Sequence, residues 1–254
     1  MKMGKEKKAE LTTQQIVLLV ILIASFMIML LLLFRLNLKE QTQAEICHNS
    51  VILKEKSTFG GELNCKTSYV CISGGESCKE INPTKTIDIN LNPKPTNDET
   101  KDDLVKKQVM KAIADEMVGC WWMFGEGKLN YVGGISETHC ALCSSIKFDN
   151  TIKNEITYGD FFDYLSITKK TDSQTYMQYL FAVSDKKMLK SEYLGVYDLN
   201  SKIDLNKNNL IVTGRNSRNL AFFGEVLDPK VMPVYLVIDS NFPKLECKTF
   251  ITKA

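Results

Sequence analysis

The most compact group of reactive side chains in this sequence is His139-Cys140-Ala-Leu-Cys143. Two cysteines separated by two residues can form a redox pair, ligate a metal ion, or belong to two different structural disulfides. A zinc site would combine Cys120 with the histidine and both cysteines of this motif. Its adjacent ligands His139 and Cys140 would not readily converge on one ion. A thioredoxin-like redox pair should follow a strand and open a helix, and residues 133–138, Gly-Gly-Ile-Ser-Glu-Thr, give that arrangement poor support.

We therefore prefer structural disulfides at this motif and expect no cofactor, with zinc as the alternative. The chain contains eight cysteines, and all of them follow residue 46: Cys47, Cys65, Cys71, Cys78, Cys120, Cys140, Cys143 and Cys247. An even number of cysteines confined to one part of the chain is typical of disulfides formed in an oxidising compartment.

The pairing of these cysteines can be narrowed, because the proline-containing segment 92–100 separates two groups of four. We expect the first four cysteines to pair among themselves and the last four to do likewise. Within the second group, Cys140 and Cys143 should have different partners. One partner is Cys120 on a predicted helix, and the other is Cys247 in the predicted final strand.

The remaining chemical motifs are incomplete. Asp204-Leu-Asn-Lys-Asn208 has the alternating oxygen ligands of a calcium loop, but Arg215 stands where an EF-hand carries its glutamate. Gly125-Glu-Gly-Lys128 lacks the glycine spacing and the hydroxyl residue of a phosphate-binding loop. The two histidines do not form His-Glu-x-x-His, and there is no Gly-x-Ser-x-Gly. We therefore predict no catalytic residues and a binding or structural role.

Trp121 and Trp122 are the two tryptophans of the chain, and they follow Cys120 directly. Paired tryptophans can serve as a ligand platform or a partner contact. Large aromatic side chains at the end of a helix, next to a disulfide cysteine, are more often buried. We expect both to lie in the core.

Residues 16–34 form an uninterrupted apolar segment without a charged side chain. As a helix, this segment would cover about 28 Å, close to the thickness of a bilayer core. It is longer than the apolar part of a cleaved signal peptide, and no small-residue cleavage site follows it. A core helix that is apolar on every side would be unusual. The sequence predicts a transmembrane helix with the lipid bilayer as its partner.

The charges around this segment predict its orientation. Four lysines precede it, and the positive-inside bias places such an end in the cytoplasm and the rest of the chain outside. Beyond the segment, 28 basic residues balance 28 acidic residues once the four lysines and two glutamates of the tail are set aside. This balance argues against nucleic acid, which needs a positively charged surface. We expect a single-pass protein of the cell membrane, with a protein partner outside the cytoplasm.

The tail also carries Lys8-Ala9-Glu10-Leu11 ahead of the apolar segment. This tetrapeptide resembles the class III signal of archaeal type IV prepilins, with Ala9 in place of the commoner glycine. The resemblance implies cleavage between Ala9 and Glu10 and a pilin-like or pseudopilin subunit whose helix forms a filament core. As a whole, the chain resembles uncharacterised single-pass membrane proteins of archaea. That second resemblance implies the topology and no activity.

We predict an α+β protein with one N-terminal transmembrane helix, a small cysteine-rich β module, and a domain with one long amphipathic helix against a mainly antiparallel sheet. The expected segments are a cytoplasmic tail (1–15), a transmembrane helix (16–34), a juxtamembrane segment (35–46), the cysteine-rich β module (47–91), a linker (92–100) and an extracytoplasmic α+β domain (101–254). The long helix should cover residues 101–124, because Thr100 and Asp103 can form a capping box. A second helix should start after Thr157. Strands are expected at 51–54, 69–73, 86–91, 145–149, 209–213, 220–226, 231–238 and 246–251.

Overall fold

The computed structural model describes residues 13–35, 42–56, 62–95, 98–132, 137–189, 196–216, 219–220, 226–227, 231–238 and 240–253. The helices in these ranges are α1 (Thr13–Arg35), α2 (Gln43–Lys56), α3 (Lys101–Met123), α4 (Tyr158–Ile167) and α5 (Tyr176–Phe181). The strands are β1 (Ser68–Ser73), β2 (Lys85–Asp88), β3 (Thr138–Phe148), β4 (Lys169–Thr171), β5 (Gln174–Thr175), β6 (Asn209–Asn216), β7 (Asn219–Leu220), β8 (Val226–Leu227), β9 (Val231–Ile238) and β10 (Thr249–Phe250). The chain divides into two compact units, Met1–Thr42 and Gln43–Ala254.

The first unit contains α1, and here the predicted fold is corrected. In the part of the chain that the structure describes, no helix has both the length and the apolar character that crossing a membrane requires. The proposed cleavage site at Ala9 and Glu10 lies outside the described residues.

The second unit is built on a six-stranded sheet with the order β2-β1-β3-β6-β9, and β10 also pairs with β3. The α+β prediction is confirmed, but the sheet is mixed instead of mainly antiparallel. β1 runs parallel to both β2 and β3, whereas β3, β6 and β9 are antiparallel neighbours. Residues 74–84 carry the chain from the end of β1 back to the start of β2, and α3 carries it from the end of β2 back to the start of β3. Such a crossover makes the two strands it connects parallel.

The predicted cysteine-rich module does not consist of strands alone. Residues 51–54, predicted as a strand, belong to α2, which spans residues 43–56. The buried side chains of α2 are Cys47 and Val51, which are four residues apart and therefore lie on the same face of a helix. β1 and β2 then join the same sheet as the strands of the second cysteine group.

The predicted long helix is confirmed as α3. The Thr100 hydroxyl accepts a hydrogen bond from the Asp103 N–H, and the Asp103 carboxylate accepts one from the Thr100 N–H. The same reciprocal cap starts α4 at Thr157 and Asp160. The buried side chains of α3 include Val105, Val109, Ile113, Met117 and Cys120, which recur every three or four residues.

The sheet has a core on each face. The larger core lies between the sheet and the helices of the second unit and includes Ile72, Met117, Phe161 and Leu236. The smaller core lies on the opposite face and includes Cys140, Val212, Tyr235, Val237 and Leu245. The 3₁₀ helix Phe242–Leu245 packs over this smaller core.

The C-terminal residues complete the sheet along one edge of β3. β10 pairs there with His139 and Cys140, and β1 pairs with β3 from Ser144 onward. The backbone of Lys253 then forms an isolated parallel β-bridge with Lys66, just ahead of β1. The strands predicted at 209–213 and 231–238 are confirmed as β6 and β9, whereas only residues 249–250 of the predicted last strand are extended.

Candidate functional site

The His139-Cys140-x-x-Cys143 motif lies on β3. Residues three positions apart on a strand point to opposite faces of the sheet. Cys143 is therefore in the larger core, where it forms a disulfide with Cys120 of α3. Cys140 is in the smaller core and forms a disulfide with Cys247. The motif is thus the anchor of two separate structural disulfides.

The prediction of disulfide bonds is confirmed for all eight cysteines. The first group forms Cys47–Cys65 and Cys71–Cys78, and no cysteine is free. The pairs stay within the two groups of four, as expected. The cysteines of the zinc hypothesis are bonded to other cysteines, so they carry no thiolate for a metal. Among the residues described, no three His, Cys, Asp or Glu side chains lie close enough together to hold an ion.

Trp121 and Trp122 end α3, and each lines a different surface groove. Both side chains are half-buried, so the expected burial is only partial. Trp121 packs against the larger core with one part of its ring system. Successive residues of a helix point about 100° apart, which directs the two rings to two sides of the Gly125–Gly127 turn.

We call the groove beside Trp121 the aromatic groove. Its volume is about 460 Å³, within the usual range of ligand sites. Rings come from α3 and α5, and polar groups come from the turn after α3 and from β5. Its lining consists of Trp121, Glu126, Gly127, Lys128, Gln174, Tyr179, Leu180, Phe181, Ala182 and Pro233.

The polar groups of the aromatic groove hold one another in place. The Tyr179 hydroxyl donates to Glu126 Oε1 at 2.5 Å, and Lys128 Nζ lies 2.7 Å from Glu126 Oε2. The hydrogen bonds from Lys128 and Tyr179 lower the pKa of Glu126. Burial and the bond to Glu126 raise the pKa of Tyr179. At neutral pH the carboxylate is therefore ionised and the phenol is protonated.

A second cation completes this arrangement. Lys170 Nζ lies 3.7 Å from the centre of the Tyr179 ring, within the range of a cation–π contact. Tyr179 is therefore fixed at its hydroxyl and over its ring. The groove therefore presents aromatic rings that are held in position, and its charged side chains already have partners.

The backbone is strained at the same groove. Among the described residues other than glycine, four have a positive φ: Glu80, Glu126, Ala182 and Glu246. Glu126 (φ 55°) and Ala182 (φ 56°) both line the aromatic groove. Residues in this left-handed region persist where the surrounding structure holds them, and they cluster at functional sites.

The groove beside Trp122 we call the histidine groove. Its volume is about 370 Å³, and its lining consists of His48, Ile52, Glu55, Lys56, Trp122, Gly125, Glu126, Lys128 and Leu129. The His48 ring stacks on Trp122, with the ring centres 4.1 Å apart and the planes 18° from parallel. Glu126 and Lys128 line both grooves.

A larger open groove of about 710 Å³ lies between residues 149–155 and 202–206, but its carboxylates already have partners within the protein. Asp204, from the incomplete calcium loop, accepts the Asn206 N–H, and its other oxygen lies 3.5 Å from Lys207 Nζ. Lys202 pairs with Glu155 at 2.6 Å. With its carboxylates engaged and no aromatic ring in its lining, this groove is the weaker candidate.

Comparison with known protein families, with curated proteins and with solved structures finds no match. The candidate site therefore depends on geometry alone. The tryptophans and the Gly125–Lys128 turn are recognisable in the sequence as separate features, whereas Tyr179 and Phe181 were not predicted as site residues. Those two residues belong to an aromatic run at 176–183. Its density of rings was the one sequence signal for the second wall of the groove.

Proposed function

We propose that this chain is a disulfide-stabilised binding module that acts outside the cytoplasm and holds its ligand in the aromatic groove. One observation carries the proposal. Trp121, Tyr179 and Phe181 line one groove around a Glu126–Lys128 pair that is already neutralised. A concave surface of aromatic rings with a few fixed polar groups is the usual form of a ligand site.

The chemistry of the groove favours binding over catalysis. Glu126 is its single carboxylate, and both oxygens are engaged by Tyr179 and Lys128. A general base needs a free oxygen within reach of a substrate proton. The same bonds keep the groove rigid, which reduces the entropy lost when a ligand binds.

The location outside the cytoplasm is supported by the cysteines. All eight are in disulfides, and such bonds persist in oxidising compartments and are rare in the cytosol. Contact of residues 16–34 with a lipid bilayer and a place at the cell membrane stay predictions. The filament-subunit hypothesis, which depends on Ala9 and Glu10, also stays a prediction.

Tryptophan emission tests the binding site directly, because the two tryptophans of the chain are those of the two grooves. We expect the emission of the full chain to shift on titration with oligosaccharides or with proline-rich peptides, the two ligand classes that aromatic grooves commonly take. Trp121→Ala should weaken binding about tenfold or more, as truncation of a central aromatic side chain does.

The matched control is Phe250→Ala, which removes a ring that is 51% exposed and lines neither groove. It should bind like the unmodified chain. If neither ligand class shifts the emission, or if Trp121→Ala binds as tightly as the control, the aromatic groove is not the binding site.

Thiol trapping tests the location. Cells that make the protein are quenched in acid, free thiols are alkylated under denaturing conditions, and the mass of the chain is measured before and after reduction. We expect no alkylated cysteine before reduction and eight after it. A chain with several alkylated cysteines before reduction would contradict a location in an oxidising compartment.

A further inference from the structure

We infer that the aromatic groove and the histidine groove bind one ligand between them, an extended and uncharged carbohydrate chain. This inference rests on the proposed function and specifies its ligand. It extends the site from Trp121 across the Gly125–Gly127 turn to Trp122 and His48.

The two grooves are adjacent. Glu126 and Lys128 line both, so the turn that carries Glu126 forms a shared boundary. Trp121 and Trp122 lie on either side of this turn at the end of α3. A ligand that contacts both rings must pass over the Glu126–Lys128 pair, and a linear polymer can do so.

The charged groups at the two grooves are mixed in sign. In the aromatic groove, Glu126 is balanced by Lys128 at 2.7 Å, and the additional cation Lys170 lies over the Tyr179 ring. The histidine groove adds one acid and one base, Glu55 and Lys56. Neither groove presents a field of one sign, so nothing there favours a polyanion or a polycation. The ligand that fits is neutral.

The two grooves offer both aromatic rings and hydrogen-bonding groups. A sugar ring has an apolar face of C–H groups, which can pack on an aromatic side chain, and an edge of hydroxyls. The grooves alternate such surfaces: the rings of Trp121 and Phe181, the polar pair Glu126–Lys128, and then the stacked rings of Trp122 and His48. This alternation matches successive units of a polysaccharide.

A peptide fits the grooves less well. The edge strand β9 contributes Pro233 to the aromatic groove, and proline has no N–H to pair with an added strand. Further along β9, the Leu236 N–H already donates to the Tyr197 hydroxyl at 3.0 Å. The Tyr179 hydroxyl donates to Glu126 and is therefore not available to a proline-rich peptide.

The experiment uses the full chain in a zwitterionic detergent without a sugar head group. The probes are cellohexaose, maltohexaose and chitohexaose, the corresponding disaccharides, and a proline-rich decapeptide. Trp121→Phe and Trp122→Phe each leave one tryptophan, so each variant reports on one groove. We expect at least one hexasaccharide to shift the emission of both variants and to bind about tenfold or more tightly than its disaccharide.

The outcomes separate this inference from the proposed function. Binding of the decapeptide but of no sugar would retain a binding module and overturn the carbohydrate ligand. A hexasaccharide that shifts only one single-tryptophan variant would overturn the continuous site. If no probe shifts the tryptophan emission of either variant, the inference and the proposed function are both contradicted. Phe250→Ala, which leaves both grooves intact, should match the unmodified chain with every probe.

Discussion

At the scale of single residues, Asp149 organises the turn after β1. Its Oδ2 atom accepts hydrogen bonds from the Ser73 hydroxyl and from the Gly74 and Glu76 N–H groups, each at 2.9 Å. Its Oδ1 atom accepts two from Thr151. Burial acts to raise the pKa of Asp149, but the hydrogen bonds from Thr151, Glu76 and Ser73 outweigh it, so the pKa lies below its ordinary value.

Asp149→Asn should lower the free energy of unfolding by about 2–3 kcal/mol at pH 7, because an amide nitrogen cannot accept the bonds made to one carboxylate oxygen. Urea denaturation measures the change. The control Asp172→Asn alters an exposed carboxylate and should change the stability by less than about 0.5 kcal/mol.

The effect of Asp149 should also depend on pH. A group with a lowered pKa in the folded state contributes stability above its ordinary pKa, about 3.9 for aspartate, and loses it as the pH falls through the folded value. The difference between the unmodified chain and Asp149→Asn should therefore be full at pH 7 and shrink below about pH 4. A difference that stays constant down to pH 3 would contradict the assigned role of the carboxylate.

At the scale of elements, β3 and β6 approach each other closely at Gly214. A Cβ atom there would lie 2.5 Å from the His139 carbonyl oxygen and 3.3 Å from the Cys140 Cα. The register between β6 and β9 also shifts between Val212 and Gly214. The glycine therefore allows β6 to pair with both neighbours at an irregular point of the sheet.

Gly214→Ala should destabilise the fold by about 1–3 kcal/mol, because the backbone of β3 must move to admit a methyl group. The matched control is Gly119→Ala in α3, where a Cβ atom meets nothing within 4 Å. That substitution should stabilise the helix by up to about 1 kcal/mol. Thermal unfolding of both variants measures the contrast, and a Gly214→Ala protein as stable as the control would disprove the close approach.

The elements that are specified by residues close together in the sequence could be predicted. The capping box and the apolar periodicity of α3 specify a helix locally. The odd spacing of Cys140 and Cys143 separates the two side chains on any strand. The parallel placement of β1 and the helical state of residues 51–54 depend on contacts distant in sequence. The grooves were beyond prediction for the same reason: the aromatic groove forms when α3 packs near α5 and β9, and the histidine groove forms when α3 packs against α2.

At the scale of the whole molecule, the four disulfides close loops of very different length. The cysteines are separated by 7 residues in Cys71–Cys78, 18 in Cys47–Cys65, 23 in Cys120–Cys143 and 107 in Cys140–Cys247. In the chain-entropy account, a disulfide stabilises by restricting the unfolded chain, and the effect grows with the logarithm of the loop length.

Removing Cys140–Cys247 with a double alanine substitution should therefore cost the most, about 4–5 kcal/mol, and removing Cys71–Cys78 the least, about 2–3 kcal/mol. Urea denaturation of the two double variants under oxidising conditions gives the comparison. Peptide mapping without reductant should recover all four pairs in the unmodified chain. A Cys140–Cys143 peptide, or equal losses of stability in both variants, would contradict this account.

The position of β10 has a consequence for the order of events in the cell. Residues 249–253 pair with β3 and with the start of β1, so the sheet is incomplete until they arrive. β10 leaves the ribosome after every other strand of the sheet. The six-stranded sheet therefore cannot be complete before residues 249–253 have been synthesised. The most widely spaced disulfide, Cys140–Cys247, likewise has to wait for a cysteine that follows all strands of the sheet except β10.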